Sequence, residues 1–137
     1  MTESSQGLPR TLRILSALIL FVIAGIHLFL VFDGVGGALG VSFILNAIAG
    51  FVLGIGMLAL HGRLLQLASV LGLLFIVASL LALLLALTVG LFGIHETWGF
   101  TLVPETVVVE AIGVVVLALT VRAASGSRAL AGRPDRG

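Results

Sequence analysis

Apolar residues dominate four long stretches of the chain, residues 12–32, 41–60, 64–92 and 103–121, and polar positions cluster in the short intervals between them. Each stretch is near or above the ~20 residues that a helix needs to cross the hydrocarbon core of a bilayer. The third is the longest, roughly 43 Å as a helix against a core of ~30 Å. It must tilt, project beyond the membrane, or loosen near Gly90 and Gly93. The intervals read as turns. "DGVGGALG" (33–40) is short and Gly-rich, so the first two spans form an antiparallel hairpin. "HGR" (61–63) is a very tight turn, and "GIHETWGFTLVPE" (93–105) is the one longer loop. Pro104 can open the fourth helix, where a missing N–H costs nothing, and Glu105 then lies at the positive end of the helix dipole. The pattern predicts an all-α polytopic membrane protein, four transmembrane helices in an up-down-up-down bundle. Residues 1–9 form a disordered leader, residues 10–122 the four-helix domain, and residues 123–137 a basic, disordered tail.

Composition strengthens this reading. The chain is 60% hydrophobic and 9% charged, where a soluble domain carries about 25% charged residues. Charge adds an orientation. Arg10 and Arg13 precede the first span, Arg63 separates the second from the third, and Arg122, Arg128, Arg133 and Arg136 follow the fourth. The intervals 33–40 and 93–105 hold no Lys or Arg, and their only charged residues are Asp33, Glu96 and Glu105. The positive-inside rule then puts both termini in the cytoplasm and the Gly-Ile-His segments near the outer face of the plasma (inner) membrane. The first apolar run is too long for the 7–15-residue core of a signal peptide and is read as a retained span. The tail arginines, Arg122, Arg128, Arg133 and Arg136, are placed to rest on anionic lipid headgroups. With no Cys, disulfides and thiolate metal sites are excluded.

Three polar residues fall inside the spans: His27, Asn46 and Glu110. An ionisable group at mid-membrane costs about 2.5–3.5 kcal/mol even on lenient insertion scales, so each requires a reason. At 1.5 Å per residue, His27 lies roughly 21 Å from Arg13, Asn46 roughly 22 Å from His61 and Glu110 roughly 18 Å from Arg122. All three therefore sit at about one level in the outer half of the bilayer. His27 shares a stripe with Ala17, Leu20, Ala24 and Val31; Asn46 continues into Gly50 and Gly54; Glu110 goes with Thr106, Gly113 and Leu117. The third span offers Gly72, Ser79, Ala82 and Ala86 along one side. Small residues are where membrane helices approach closely, so the polar groups are expected to face inward. His95 and Glu96 would lie above them as a lid.

Two chemistries compete for this cluster. In the structural one, Asn46 is an interhelical hydrogen-bond partner, His27 and Glu110 are a satisfied pair that fixes helix register, His95 and Glu96 are solvated, and His61, beside Arg63, is interfacial. In the functional one, His27, Asn46, Glu110 and Glu96 bind or pass a proton or small ligand. His27, His95 and Glu110 would also suit Zn or Cu, although no H-x₃-H or H-E-x-x-H spacing occurs and no cofactor is predicted. A bis-histidine haem does not fit, because His27 and His95 differ in depth by a helical turn or more. No phosphate-binding loop or nucleophile elbow is present, and the sparse Arg tail makes no nucleic-acid surface. "GIH" at 25–27 and again at 93–95 is compatible with a duplicated helical hairpin.

"GIHLFL", "FILNAIAG" and "GLFGIHE" together resemble the small, largely uncharacterised four-helix integral membrane proteins common in actinobacteria. The resemblance covers roughly residues 20–115 and makes His27, Leu28, Asn46, Glu96 and Glu110 the motif positions. It implies the architecture and brings no activity. The sequence favours a non-enzymatic membrane module that assists assembly or stability of a larger complex, with the lipid bilayer and a homo-oligomer or larger membrane complex as partners. The alternative is binding or translocation of a proton, metal ion or small ligand through the His/Asn/Glu site, as an oligomer.

Overall fold

A computed structural model describes the backbone of residues 8–131 and the side chains of residues 8–127. It holds four helices, α1 (Arg10–Phe32), α2 (Gly37–Ala59), α3 (Gly62–Thr88) and α4 (Val103–Ala131), and no named strand among the described residues. Each is long and apolar enough to cross a membrane. The side chains they turn outward include Leu18, Leu45, Val52, Leu74 and Val115, all more than half exposed. So much outward apolar surface is what lipid tails solvate and water does not. The protein has the helices of a multi-pass membrane protein.

The turns follow from glycine. At the end of α1 the Asp33 N–H donates to Phe29 O, Gly34 takes φ +107°, and the Val35 N–H returns to Leu30 O at 3.0 Å. That is a glycine-terminated helix end whose last carbonyls are satisfied. The third span does loosen where a break was one of the expectations. Its helix stops at Thr88, short of 92, because Gly90 turns to φ +87° and its N–H bonds back to Leu85 O at 2.8 Å. A two-residue turn at Phe92 (φ 49°) and Gly93 (φ 79°) then closes a bridge between Leu91 and Ile94. Pro104 and Glu105 sit in the first turn of α4, as the chain pattern required. That helix corrects one expectation: it runs on to Ala131, so residues 123–131 of the supposed disordered tail are helical. Alanine, serine and arginine tolerate a helix, and no proline interrupts the run before Pro134. The expectations for residues 1–7 and 132–137, including Arg133 and Arg136, lie outside the described residues, as does the Arg128 side chain.

The helices meet through small residues around a core of Leu20, Ile23, Met57, Ile76 and Leu117, all fully buried. A Cβ at Gly50 would stand 3.0 Å from Ala24 Cβ and 3.1 Å from the Leu20 carbonyl oxygen, so α1 and α2 are nearly in backbone contact there. A Cβ at Gly54 would instead press on the ring of Phe21, 2.5 Å away. The two sites should respond in the opposite order to those distances. Phe21 is only half-buried and can swing toward lipid, whereas backbone cannot yield. Gly50→Ala is expected to cost about 1 kcal/mol even after its gain in helix propensity, and Gly54→Ala less. Unfolding in mixed detergent micelles measures both. Hydroxyls add to the packing: Ser16 and Thr120 share a buried hydrogen bond of 2.9 Å between α1 and α4.

A feature that the sequence reading used only as a charge marker proves structural. The Arg13 guanidinium reaches from the start of α1 to the end of α2, where Nε donates to Met57 O at 3.0 Å and Nη2 to Leu58 O at 2.9 Å and Leu60 O at 3.0 Å. These carbonyls belong to a helix C-terminus and lack intrahelical donors, and a cation there also complements the dipole.

Candidate functional site: an acceptor-lined cavity

All four helices contribute a polar group to one end of the bundle. Glu110 of α4 is 0% exposed, and its Oε1 accepts a hydrogen bond of 2.6 Å from Ser79 Oγ of α3. Ser79 in turn accepts from Asn46 Nδ2 of α2 at 3.2 Å. The direction is fixed by chemistry: the amide N–H can only donate and Oε1 accepts, so the hydroxyl between them passes the polarity along as amide to hydroxyl to carboxylate. Two atoms are left over. Glu110 Oε2 and Asn46 Oδ1 are buried with no hydrogen-bond partner among the described residues. Buried polar atoms of native proteins are usually paired, and an orphan calls for an explanation.

His27 completes the set from α1. Its Nδ1 lies 2.9 Å from Ile23 O, one turn back. A carbonyl oxygen only accepts, so Nδ1 carries the hydrogen and, in the neutral ring, Nε2 is an acceptor. The ring meets Phe43 edge to face with centroids 5.0 Å apart, which holds its orientation.

These residues share the wall of a cavity of about 240 Å³. His27, Asn46, Ser79, Thr106 and Glu110 are the inner polar residues; Leu30, Phe43, Leu83 and Val103 supply apolar wall. Glu96, half-buried, belongs to the wall as well. Its backbone N–H donates to Ala86 O at 3.0 Å and so folds the 89–96 segment back over the end of α3. Of the other wall hydroxyls, those of Ser42 and Thr106 are already used, whereas that of Thr101, which is exposed, bonds to no described residue. Ser42 donates to Ala38 O at 2.9 Å and Thr106 to Leu102 O at 2.7 Å.

Several expectations need correction. His27 and Glu110 do not bond to each other; their partners are Ile23 and Ser79. The proposed Zn or Cu set of His27, His95 and Glu110 is not assembled, and among the described residues no three His, Cys, Asp or Glu gather as metal ligands. The cause is local. The turn at Gly90 lays the exposed His95 ring against that glycine's backbone, where a Cβ would fall 2.5 Å from the ring, and His95 is not part of the cavity wall. The two Gly-Ile-His copies are also unlike, residues 25–27 being helical and residues 93–95 a turn. Ser79, which the sequence reading counted only as a small residue, is the link between Asn46 and Glu110. No family model, curated protein or solved structure matches this chain.

Proposed function

We propose that this is a membrane-embedded binding protein whose cavity takes a small, partly apolar ligand at one end of the bundle. One observation carries the reading: a fully buried carboxyl with an unpartnered oxygen, Glu110, on the wall of a cavity of about 240 Å³. A module serving only assembly would use the Asn46–Ser79–Glu110 links to fix helix register, which leaves the second carboxyl oxygen without a purpose. The volume is slightly below the range of drug-sized sites, so the ligand is small.

The finer topology belongs to the same reading. An up-down-up-down order is supported by neighbour pairs that bring the N-terminal half of one helix beside the C-terminal half of its neighbour along the chain, such as Arg13 with Leu58, Met57 with Ser69 and Ser79 with Glu110. The distribution of arginines favours both termini in the cytoplasm and the cavity toward the outer leaflet. Arg122, which is exposed, would then face anionic headgroups.

Filling the cavity tests the reading. Ala82 lies on its wall, and Ala82→Phe should leave the unfolding midpoint within a few degrees while abolishing binding. Protein extracted in mild detergent should retain a small-molecule adduct by native mass spectrometry. In addition, at least one of a panel of six-carbon amines, alcohols and acids should raise the wild-type midpoint, with neither effect in the variant. A ligand at 100 times its Kd stabilises by about 2.7 kcal/mol, ample for detection. A wild type with no adduct and no response to any probe sinks the proposal.

A further inference from the structure

The hydrogen-bonding sense of the cavity narrows its ligand. Glu110 Oε2 and Asn46 Oδ1 are buried acceptors without donors, and His27 Nε2 is a third acceptor by the tautomer that Ile23 O imposes. The hydroxyls of Ser79, Ser42 and Thr106 have spent their single hydrogens on Glu110, Ala38 and Leu102. The chain has no Lys, and Arg10, Arg13 and Arg63 belong to the opposite ends of their helices, so no basic side chain stands among the wall residues. The cavity therefore offers a surplus of hydrogen-bond acceptors, and a cation seated beside Glu110 would hold its carboxyl in the ionised form.

We infer that the ligand is a small primary amine in its ammonium form, its N–H groups donating to Glu110, Asn46 and His27 and its short carbon tail lying along Leu30, Phe43 and Leu83. This deepens the ligand-binding reading and rests on it. An ammonium has three donors and no acceptor, which matches three acceptors, the spare donors of the wall being the second Asn46 N–H and the Thr101 hydroxyl on the exposed side. A carboxylate-to-ammonium hydrogen bond is about twice as strong as a neutral one. An alcohol brings one donor and a surplus lone pair. A carboxylic acid in its ionised form would set a second negative charge beside Glu110. A quaternary ammonium has the charge but no N–H, so it separates donor matching from charge alone.

Titration calorimetry on the full chain in micelles, with Ala82→Phe subtracted for partition into detergent, tests the inference with four probes: hexylammonium, hexanol, hexanoate and hexyltrimethylammonium. Hexylammonium should bind the wild type at least about tenfold more tightly than the other three. Glu110→Gln should reduce hexylammonium affinity by about tenfold or more while leaving hexanol unchanged. Asn46→Leu serves as a second variant with the same expected direction should Glu110→Gln fold poorly. Hexanol or hexyltrimethylammonium equal to hexylammonium would overturn the ammonium assignment while leaving a ligand-binding cavity intact. Failure of all four probes, together with an empty native extract, would overturn both.

Discussion

Replacing Arg13 by alanine should lower the unfolding free energy by roughly 2–4 kcal/mol, one of the largest single-residue losses in the bundle. Hydrogen bonds from a charged donor are each worth about 1.5–3 kcal/mol, and this guanidinium makes three, to Met57, Leu58 and Leu60. The three share one side chain, so their energies do not simply add. What raises the cost is the state left behind: carbonyls at the end of α2 without an intrahelical donor, of which those of Met57 and Leu60 are part-buried and Leu58 alone is exposed to water. Arg13→Lys should recover only part of the loss, because an ammonium cannot span three carbonyls as a planar fork does. Arg10→Ala is the natural control, since Arg10 is exposed and one turn earlier on the same helix. Equilibrium unfolding in mixed micelles should rank the variants Arg13→Ala, Arg13→Lys, Arg10→Ala from most to least destabilised. A change of less than about 0.5 kcal/mol for Arg13→Ala would mean the three bonds are replaced by solvent at no cost.

That arginine also marks what a sequence can convey. Its charge was legible and gave an orientation, but which carbonyls it caps depends on how far the first hairpin folds back, a tertiary matter. The spans themselves were legible because lipid imposes length and apolarity on every helix that crosses it. Their ends were less so. The third ended at Thr88 because Gly90 adopts a left-handed backbone, whereas hydropathy continues smoothly through Leu91 and Phe92. The fourth continued to Ala131 because hydropathy falls there without a proline, and the single Gly126 is not enough to end the helix. At the site, His27, Asn46 and Glu110 stood out by being expensive in a membrane. Ser79 did not, for a physical reason. A serine or threonine in an apolar helix usually bonds to the carbonyl four residues back, as Ser69 does with Leu65 and Thr120 with Val116, and so carries no signal. Ser79 is the exception only because Glu110 comes within 2.6 Å of it on the facing helix. His95 failed in the opposite way, since a repeated tripeptide drew attention to a ring that a glycine turn points away from the cavity.

The smaller chemical change at this site should do the greater damage. Ser79→Ala removes one oxygen, yet it takes from Glu110 its only donor among the described residues and from Asn46 its acceptor, leaving two buried polar groups stranded. Orphaned groups cost about 1–3 kcal/mol apiece. Unfolded helices in a membrane also find partners, which pulls measured values for single interhelical bonds toward ~0.6 kcal/mol. A net loss of roughly 1–3 kcal/mol is therefore expected. Glu110→Leu deletes far more polarity, but Ser79 can then turn its hydrogen to a carbonyl of its own helix and still accept from Asn46. The unpartnered Oε2 vanishes with the carboxyl. This variant should lose no more than about 1 kcal/mol and can gain stability, as happens when a buried polar group is exchanged for an apolar one of similar size. The Ser79→Ala/Glu110→Leu double variant then strands Asn46 alone, so it should be more stable than Ser79→Ala, and the coupling in the cycle should be clearly non-additive. Ligand binding should move the other way, surviving in part with Ser79→Ala and disappearing with Glu110→Leu. A carboxyl that binds ligand at a cost in stability is what a binding site looks like energetically. Equal stability losses in Ser79→Ala and Glu110→Leu would break that link and leave Glu110 as one more packed side chain.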